Sequence, residues 1–437
     1  MMADRKTIYA LASAPGRGGV AVVRLSGNKA LHCLNMLSGK DNIVPRTAVL
    51  RTLYTKDGVA IDKALCLYFA APASFTGEDV VELHIHGGRA VLSALYDALA
   101  AMEGLRMAEP GEFSRRAVEN GKLDLTEAEA IADLVDAQTE MQRRQALRQY
   151  GGALSELYEG WRTELMRILA LCEAAIDFAD EEIPDDTLVS AAEKVAGLTA
   201  GVARHLEDGR RGEILREGLK LAIIGPPNAG KSSLINALTA REVAIVSDEA
   251  GTTRDVIEVH LDIGGYPVVL ADTAGLRHAA GKIEAEGVRR AMIAAEKADL
   301  VLHVRDGSNP GQTPDLSAIT APVLYVWNKA DVAWPEKRDG IVISAKSGLG
   351  VDSLIAAIAD AARKRTEDQG EAPLTRPRHR EALSEALAAL RRAELANEPE
   401  LFAEDVRLAL RAIGRITGSV DVENILDIVF RDFCIGK

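Results

Sequence analysis

The stretch that decides the fold runs from 219 to 240: LKLAIIGPPNAGKSSLINALTA. A short apolar run, Leu219 to Ile224, leads into Gly225-Pro-Pro-Asn-Ala-Gly-Lys231-Ser232, and a helix candidate follows. This is the G-x-x-x-x-G-K-S pattern in its strand-to-helix context. Glycines let the backbone wrap phosphates with its N–H groups, the lysine reaches the outer phosphate oxygens, and the serine hydroxyl can ligate Mg²⁺.

On its C-terminal side, strand candidates alternate with helices: VIEVHLDI, YPVVLADTAG, ADLVLHVRD, APVLYVWNKAD and GIVISAKSG. Such alternation marks a mostly parallel α/β domain. Three motifs fall at strand ends, where open α/β sheets bind ligands. Asp272-Thr273-Ala274-Gly275 has an aspartate for the Mg²⁺ shell and a glycine for the terminal phosphate. Asn328-Lys329-Ala330-Asp331 and Ser344-Ala345-Lys346 read guanine. The Asp331 carboxylate accepts from the ring N–H and exocyclic amine, Asn328 reads the base edge, and the Lys329 stem covers the ring. Adenine would leave that carboxylate unpaired. The reading is a GTP-binding domain, with Asn228, Ala229, Gly230, Lys231, Ser232 and Ser233 around the phosphates.

Leu276 stands where many GTPases carry a water-orienting glutamine, and an apolar side chain cannot place water. Arg254 and Arg277 are candidates to supply charge to the transition state, and a monovalent cation is the other. Asn228 and the segment Ser247-Asp248-Glu249-Ala250-Gly251-Thr252-Thr253 offer an amide oxygen and backbone carbonyls to such a cation, and Thr253 can close on Mg²⁺. Glu284 and Glu286 are candidates to orient water.

The flanking sequence differs in texture. Residues 1–120 read as mixed α/β, with an apolar run at Val20 to Leu25, a strand at Ala64 to Ala70, and period-two alternation in VVELHIH, Val80 to His86. From Lys122 to Arg210, and again after EDQGEAPLTRPR, Ala, Leu and Glu recur at helical spacing. Thr126 with Glu129 predicts a capping box. The last 60 or so residues are short for a core of their own, so they are expected to pack with the helices of 122–210, which makes the α/β domain an insertion into one discontinuous helical domain.

Composition limits the function classes. The 437 residues carry 52 Lys+Arg against 65 Asp+Glu, a net charge of −13, which argues against non-specific coating of nucleic acid. No apolar run approaches the roughly 18 residues of a membrane span, and no signal peptide is legible, so a cytoplasmic protein is expected. The cysteines, Cys33, Cys66, Cys172 and Cys434, lack disulfide or zinc spacing. His84 and His86 alternate on one strand face, too few ligands for a metal. The basic residues from Arg376 to Arg380, with Arg391 and Arg392, read as a solvated helix face.

Beyond the G motifs, the chain resembles the MnmE (TrmE) family of tRNA-modification GTPases over essentially its whole length. The resemblance rests on APGRGGVAVVRLSG (14–27), SFTGEDVVELHIHGG (74–88), PGEFSRRAVENGKLDLTEAEAIADLVDA (110–137), GTTRD (251–255) and the terminal Phe433-Cys434-Ile435-Gly436-Lys437. It implies an N-terminal α+β folate-binding and dimerisation domain at 1–120, a discontinuous helical-bundle domain at 121–215 and 373–437, and an inserted Ras-like P-loop G domain at 216–372.

The activity implied is potassium-activated hydrolysis of GTP to GDP. With a flavoprotein partner of the MnmG (GidA) type, which is FAD-dependent, it would install aminomethyl or carboxymethylaminomethyl groups on the wobble uridine of tRNA from a 5-formyl- or methylene-tetrahydrofolate. Implied Mg²⁺ ligands are Ser232 and Thr253, and implied K⁺ ligands are Asn228, Ser247, Glu249 and Thr252. Glu284 is the implied water-orienting residue, aligned through Gly287. Folate contacts map to Arg24, Glu82, Lys122 and Lys437. Cys434 is implied to take part in the modification chemistry, while its reading without the family is a buried hydrophobe. The competing reading is an RNA-binding or ribosome-assembly GTPase switch, which would call for a basic RNA-binding module.

Overall fold

A computed structural model describes residues 6–177, 186–243, 259–270, 284–309, 315–335, 339–367, 372–420, 423–431, 433–434 and 436. The chain divides into two compact units, residues 1–132 with 414–437, and residues 133–413.

The first unit is built on a six-stranded sheet of β1 (Thr7–Leu11), β2 (Gly18–Ser26), β3 (Val49–Tyr54), β4 (Ala60–Phe69), β5 (Val80–Gly87) and β6 (Leu105–Met107), in the order β3-β4-β5-β2-β1-β6. Its pairs are antiparallel except β1–β6. The alternation read in VVELHIH has a direct structural cause. Val81, Leu83 and Ile85 join a core with Leu34, Leu37, Leu95 and Leu99 from helices Ala30–Ser38 and Arg89–Ala100, which leaves Glu82 and His84 to the opposite face.

On the opposite face Ile8 and Ala10 pack with Phe113 of helix Glu112–Glu119. Phe113 is fully buried, which is worth about 2–3 kcal/mol. The same helix is tied down by Arg116, almost fully buried, which donates to Glu112 at 2.8 Å, Glu78 at 3.0 Å and the Lys6 carbonyl at 3.0 Å. Burial opposes ionisation of Glu112, but hydrogen bonds from Arg106, the Glu109 N–H and Arg116 outweigh it and hold this carboxyl below its usual range.

Residues 414–437 return to this unit rather than to the other helices. Leu426, Phe430 and Phe433 form a core with Leu125 and Ala128. That contact also explains where the helix Leu125–Asp136 starts. Leu125 and Ala128 must share its apolar face, so the cap is Asp124 and not Thr126. The Asp124 carboxylate accepts from the Glu127 N–H at 2.8 Å, and Glu127 accepts from the Asp124 N–H at 2.9 Å. Thr126 and Glu129, expected to form the box, are buried within the helix.

In the second unit, helices Glu140–Tyr150, Ala153–Asp177, Asp186–Leu206 and Arg211–Glu217 precede the α/β part, and Pro377–Ala393 follows it. Pro377–Ala393 packs on Asp186–Leu206. Rings of His205 and His379 stand against Tyr158, with centroids 5.8 and 6.4 Å away. Arg380 donates to Asp208 at 2.7 Å and Glu213 at 3.0 Å. Pro377–Ala393 thus joins the helices that precede the insertion, whereas residues 414–437, expected to pack with those helices too, belong to the first unit. Arg376 and Arg380, read as a solvated face, are instead engaged by carboxylates, Arg376 by Asp133 at 2.7 Å.

The α/β sheet holds β7 (Leu219–Ile224), β8 (Val259–Ile263), β9 (Tyr266–Leu270), β10 (Leu300–Asp306), β11 (Val323–Asn328) and β12 (Ile341–Val342), in the order β12-β11-β10-β7-β9-β8. Every pair is parallel except β8–β9. One face packs Leu221, Ile223, Leu302, Val304 and Val326 against Leu234 and Ile358, and the other packs Ala222, Ile224 and Val301 against Ala295. Burial on both faces is why these strands read as continuous apolar runs. The chain order reverses at β7, a topological switch point that places the ligand crevice at its carboxyl end. Among the described residues, no helix is long and apolar enough to cross a membrane.

Candidate functional site

The loop after β7 has backbone requirements that fix its glycines. Gly225 has φ +147°, and a Cβ there would overlap the Val304 carbonyl of β10. Gly230 has φ +89°, and a Cβ would strike the Asn328 side chain. Asn228 takes a left-handed φ of 61°, which asparagine tolerates best among residues with a Cβ. Helix Lys231–Leu238 starts at the loop with no side-chain cap and no acidic residue in its first turn. Its open N–H groups and positive dipole end favour an anion. The Lys231 Nζ donates to the carbonyls of Gly225 and Pro226, both at 2.9 Å, so the ammonium is held beside that end. Ser232 and Ser233 are exposed there.

Asn328, at the end of β11 and nearly fully buried, ties this loop to the base-reading segment. Its Nδ2 donates to the Ala229 carbonyl at 2.9 Å, and its Oδ1 accepts from the Ala345 N–H at 2.9 Å. The Ser344 hydroxyl, fully buried, donates to Asp331 Oδ1 at 2.6 Å. That bond, with the charges of Lys346 and Lys329, holds the Asp331 carboxyl below its usual range. Asp331 is thus kept as an ionised acceptor, the form that pairs two neighbouring donors.

Sequence reasoning missed the partner of Lys329. This residue has φ +67°, and its Nζ sits 2.6 Å from Asp306 Oδ2 at the end of β10. Burial opposes ionisation of Asp306, yet hydrogen bonds from Lys329 and Ser308 keep its carboxyl low. The only signal available was an aspartate closing an apolar strand, VLHVRD.

Much of the proposed cation and hydrolysis machinery lies outside the described residues: 247–253 with Arg254, 272–275 with Arg277, and the side chains of Glu284 and Glu286. The helix Glu284–Glu296 begins at Glu284. Of the four implied K⁺ ligands, Asn228 is described. Of the two implied Mg²⁺ ligands, Ser232 is described.

In the other unit, the sheet face opposite its two helices brings Arg24 and Glu82 together across paired β2 and β5. Arg24 Nε and Nη2 donate to Glu82 Oε1 at 3.1 and 3.0 Å. The guanidinium lies 5.5 Å from the Phe75 ring centroid and 5.7 Å from that of Phe113, an aromatic platform the sequence did not reveal. His84 Nε2 lies 3.4 Å from Glu82 Oε2, whereas His86 pairs with Asp62 at 2.8 Å. The two histidines thus have separate partners. Lys122 is exposed, its stem beside Gly77. Lys437 lies outside the described residues, but Gly436, at φ +103°, is pressed on the Leu11 carbonyl of β1. Cys434 is exposed, not a buried hydrophobe, and its carbonyl accepts from the Gly111 N–H at 3.3 Å. Cys33, Cys66 and Cys172 are the buried thiols, all raised by desolvation, Cys33 and Cys66 to about 11.

The switch-point loop, the helix-borne lysine and the buried asparagine bridge define a Ras-like P-loop GTPase fold. It is carried here with a helical bundle and a separate α+β unit. Two family models match: the MnmE helical domain over residues 125–434, and the GTP-binding protein TrmE N-terminus over residues 7–122. The chain is 56% identical to the tRNA modification GTPase MnmE of Parvibaculum lavamentivorans over 438 residues, covering 99% of this chain and 100% of that one. It is 53% identical to the protein of the same name from Rhodospirillum rubrum, covering 99% of each. A solved FeoB G-domain from Methanococcus jannaschii matches at 27% identity and a TM-score of 0.25, covering 33% of this chain and 97% of that one. The chain belongs to the MnmE (TrmE) family of tRNA modification GTPases.

Proposed function

We propose that this protein hydrolyses GTP in a potassium-activated manner and couples hydrolysis to modification of the tRNA wobble uridine, working in the cytoplasm as a homodimer with an FAD-dependent MnmG-type partner. The observation that carries the nucleotide half is the Asn328 bridge, which joins the phosphate loop at Ala229 to the loop that orders Asp331 through Ser344. One buried amide thereby sets the distance between the base-reading carboxylate and the anion-binding helix start.

In this reading the β- and γ-phosphates rest on the N–H groups of 228–233, Lys231 neutralises them, and Ser232 with Thr253 holds Mg²⁺. Asn228, Ser247, Glu249 and Thr252 hold K⁺, which stands in for the missing arginine or glutamine. Glu284 orients water. The domain boundaries 1–120, 121–215, 216–372 and 373–437 belong to the same proposal.

The chemistry of the Arg24–Glu82 pair fits a reduced folate. Glu82 offers carboxylate acceptors to an amide edge and amine, the Phe75 and Phe113 rings keep Arg24 fixed beside it, and Lys122 and Lys437 suit an acidic tail. A tetrahydrofolate bound there supplies the one-carbon unit. The exposed leucines Leu50 and Leu65, paired across β3 and β4 on the sheet edge, support a dimer through this unit.

The test is mass spectrometry of the wobble uridine in tRNA incubated with the full chain, the flavoprotein partner, a tetrahydrofolate donor, and GTP or a non-hydrolysable analogue. Modified uridine with GTP alone is expected. Its appearance with the analogue too would overturn the coupling, and its absence in both would overturn the reading.

A further inference from the structure

Two glycine-rich blocks, Gly16-Arg17-Gly18-Gly19 and His86-Gly87-Gly88-Arg89, stand at the start of β2 and the end of β5. The structure brings them together: Gly18 of β2 pairs with Gly87 of β5. A Cβ on Gly87 would overlap the Gly18 backbone, so the two strands touch there with nothing between them. Next in the sheet, β4 contributes Asp62 and Lys63, with Asp62 accepting from the His86 N–H at 2.7 Å. One end of the sheet therefore presents Arg17, Lys63 and Arg89, all exposed.

These cations differ from the other described arginines of residues 6–132. Arg24, Arg106, Arg115 and Arg116 each meet a carboxylate, Arg46 donates to the Ala73 carbonyl, and Arg51 donates to Asn42. Among the described residues, no carboxylate pairs with Arg17, Lys63 or Arg89. Of the carboxylates at this end, Asp62 is engaged by His86, and Asp57 follows Lys56 in the Thr55–Val59 turn, where the two charges offset. The result is a local positive edge on a chain of net charge −13.

We infer that this edge is a docking surface for the phosphate backbone of tRNA. The inference rests on the tRNA-modification reading and adds the place where the nucleic acid lies. Arg17 immediately precedes β2, Lys63 lies on β4, and Arg89 opens the helix that follows β5. Adjacent strands are about 4.8 Å apart, so the backbone at these three positions spans about 10–15 Å, the length of a few phosphates. The surface is open. Residues 14–20 are exposed, and a Cβ at Gly16 or Gly19 would meet nothing within 4 Å. An open edge suits a polymer lying across it, whereas a small carboxylate ligand needs enclosure. Phosphate contacts of this kind position the RNA without reading its sequence.

The test is fluorescence anisotropy of a labelled, unmodified tRNA transcript with uridine at the wobble position. It is titrated with the full chain at 50 to 200 mM KCl, alongside the triple variant Arg17→Ser, Lys63→Ser, Arg89→Ser. Three lost phosphate contacts lower the salt slope by about 2–3 and weaken binding about tenfold or more. GTP turnover and the melting curve stay unchanged, and Arg17→Lys with Arg89→Lys restores binding. Equal slope and affinity for the triple variant would overturn this surface while leaving the tRNA reading intact. No binding by the wild type would overturn both. Loss of polyglutamylated folate binding with tRNA binding retained would assign the edge to the folate tail and sink the proposal.

Discussion

Asn328→Ala is the most informative single substitution, because both hydrogen bonds of this side chain hold the nucleotide site together. The change removes two bonds of 2.9 Å and leaves the Ala229 carbonyl and the Ala345 N–H without their partners. Ala229 is fully buried. Each stranded group costs about 1–2 kcal/mol, so the total is about 2–4 kcal/mol. That corresponds to a loss of about 30- to 1,000-fold in guanine-nucleotide affinity if the cost falls wholly on the bound state. Whatever part falls on the free protein appears as a lower melting temperature. Asn328→Asp should be at least as damaging, since it keeps the acceptor for Ala345 but sets an oxygen against the Ala229 carbonyl. The assay is titration with a fluorescent GDP analogue together with thermal unfolding of the same samples. GDP affinity within threefold of wild type and an unchanged melting curve for Asn328→Ala would refute the reasoning.

Three further outcomes follow from other contacts. Asp331→Asn reverses one acceptor into a donor, so GDP binding should fall about 100-fold or more while xanthosine diphosphate binding rises, read by competition titration. His303, fully buried in β10, is pushed down to about 4 by desolvation and the nearby Arg305 charge. Because the unfolded chain protonates it near 6.5 and the native chain does not, stability is unaffected above pH 6.5. It is lost as pH falls from there toward 4, by up to about 3 kcal/mol. Denaturant titrations at pH 7 and pH 4.5 should show a smaller acid loss in His303→Leu than in wild type, and an equal loss would count against this. Glu82→Gln should abolish binding of 5-formyl-tetrahydrofolate, measured calorimetrically, with GTP turnover unchanged, and retained folate binding would remove Glu82 from that site.

The α/β part was legible because its strands are buried on both faces and its motifs fall at fixed strand ends, so local pattern and long-range contact agree. Gly225 and Gly230 had visible identities, but their reason, the approach of Val304 and Asn328, is a contact across more than 70 residues. The Asp306–Lys329 pair joins the ends of two neighbouring strands 23 residues apart, a contact no local pattern shows. In the N-terminal part, VVELHIH announced its strand, while β1, β3 and β6 did not, since they lack comparable alternation and rely on sheet partners. The Thr126–Glu129 box was misplaced because capping chemistry is common in that run, and the true start is set by Leu125 packing on Phe430. Arg24 and Glu82 were reached through resemblance alone. Their aromatic platform depends on helix Glu112–Glu119 folding back over the sheet, held there by the Arg116 network.

The proposed GTPase uses a bound monovalent cation where others use a side chain. GTP turnover of the full chain in KCl and in NaCl at equal ionic strength, with Glu284→Ala alongside, separates the two. Turnover at least about tenfold faster in KCl, lost in Glu284→Ala with nucleotide binding retained, is the expected result. Equal rates in the two salts would contradict the account and return Arg254 and Arg277 as the source of transition-state charge.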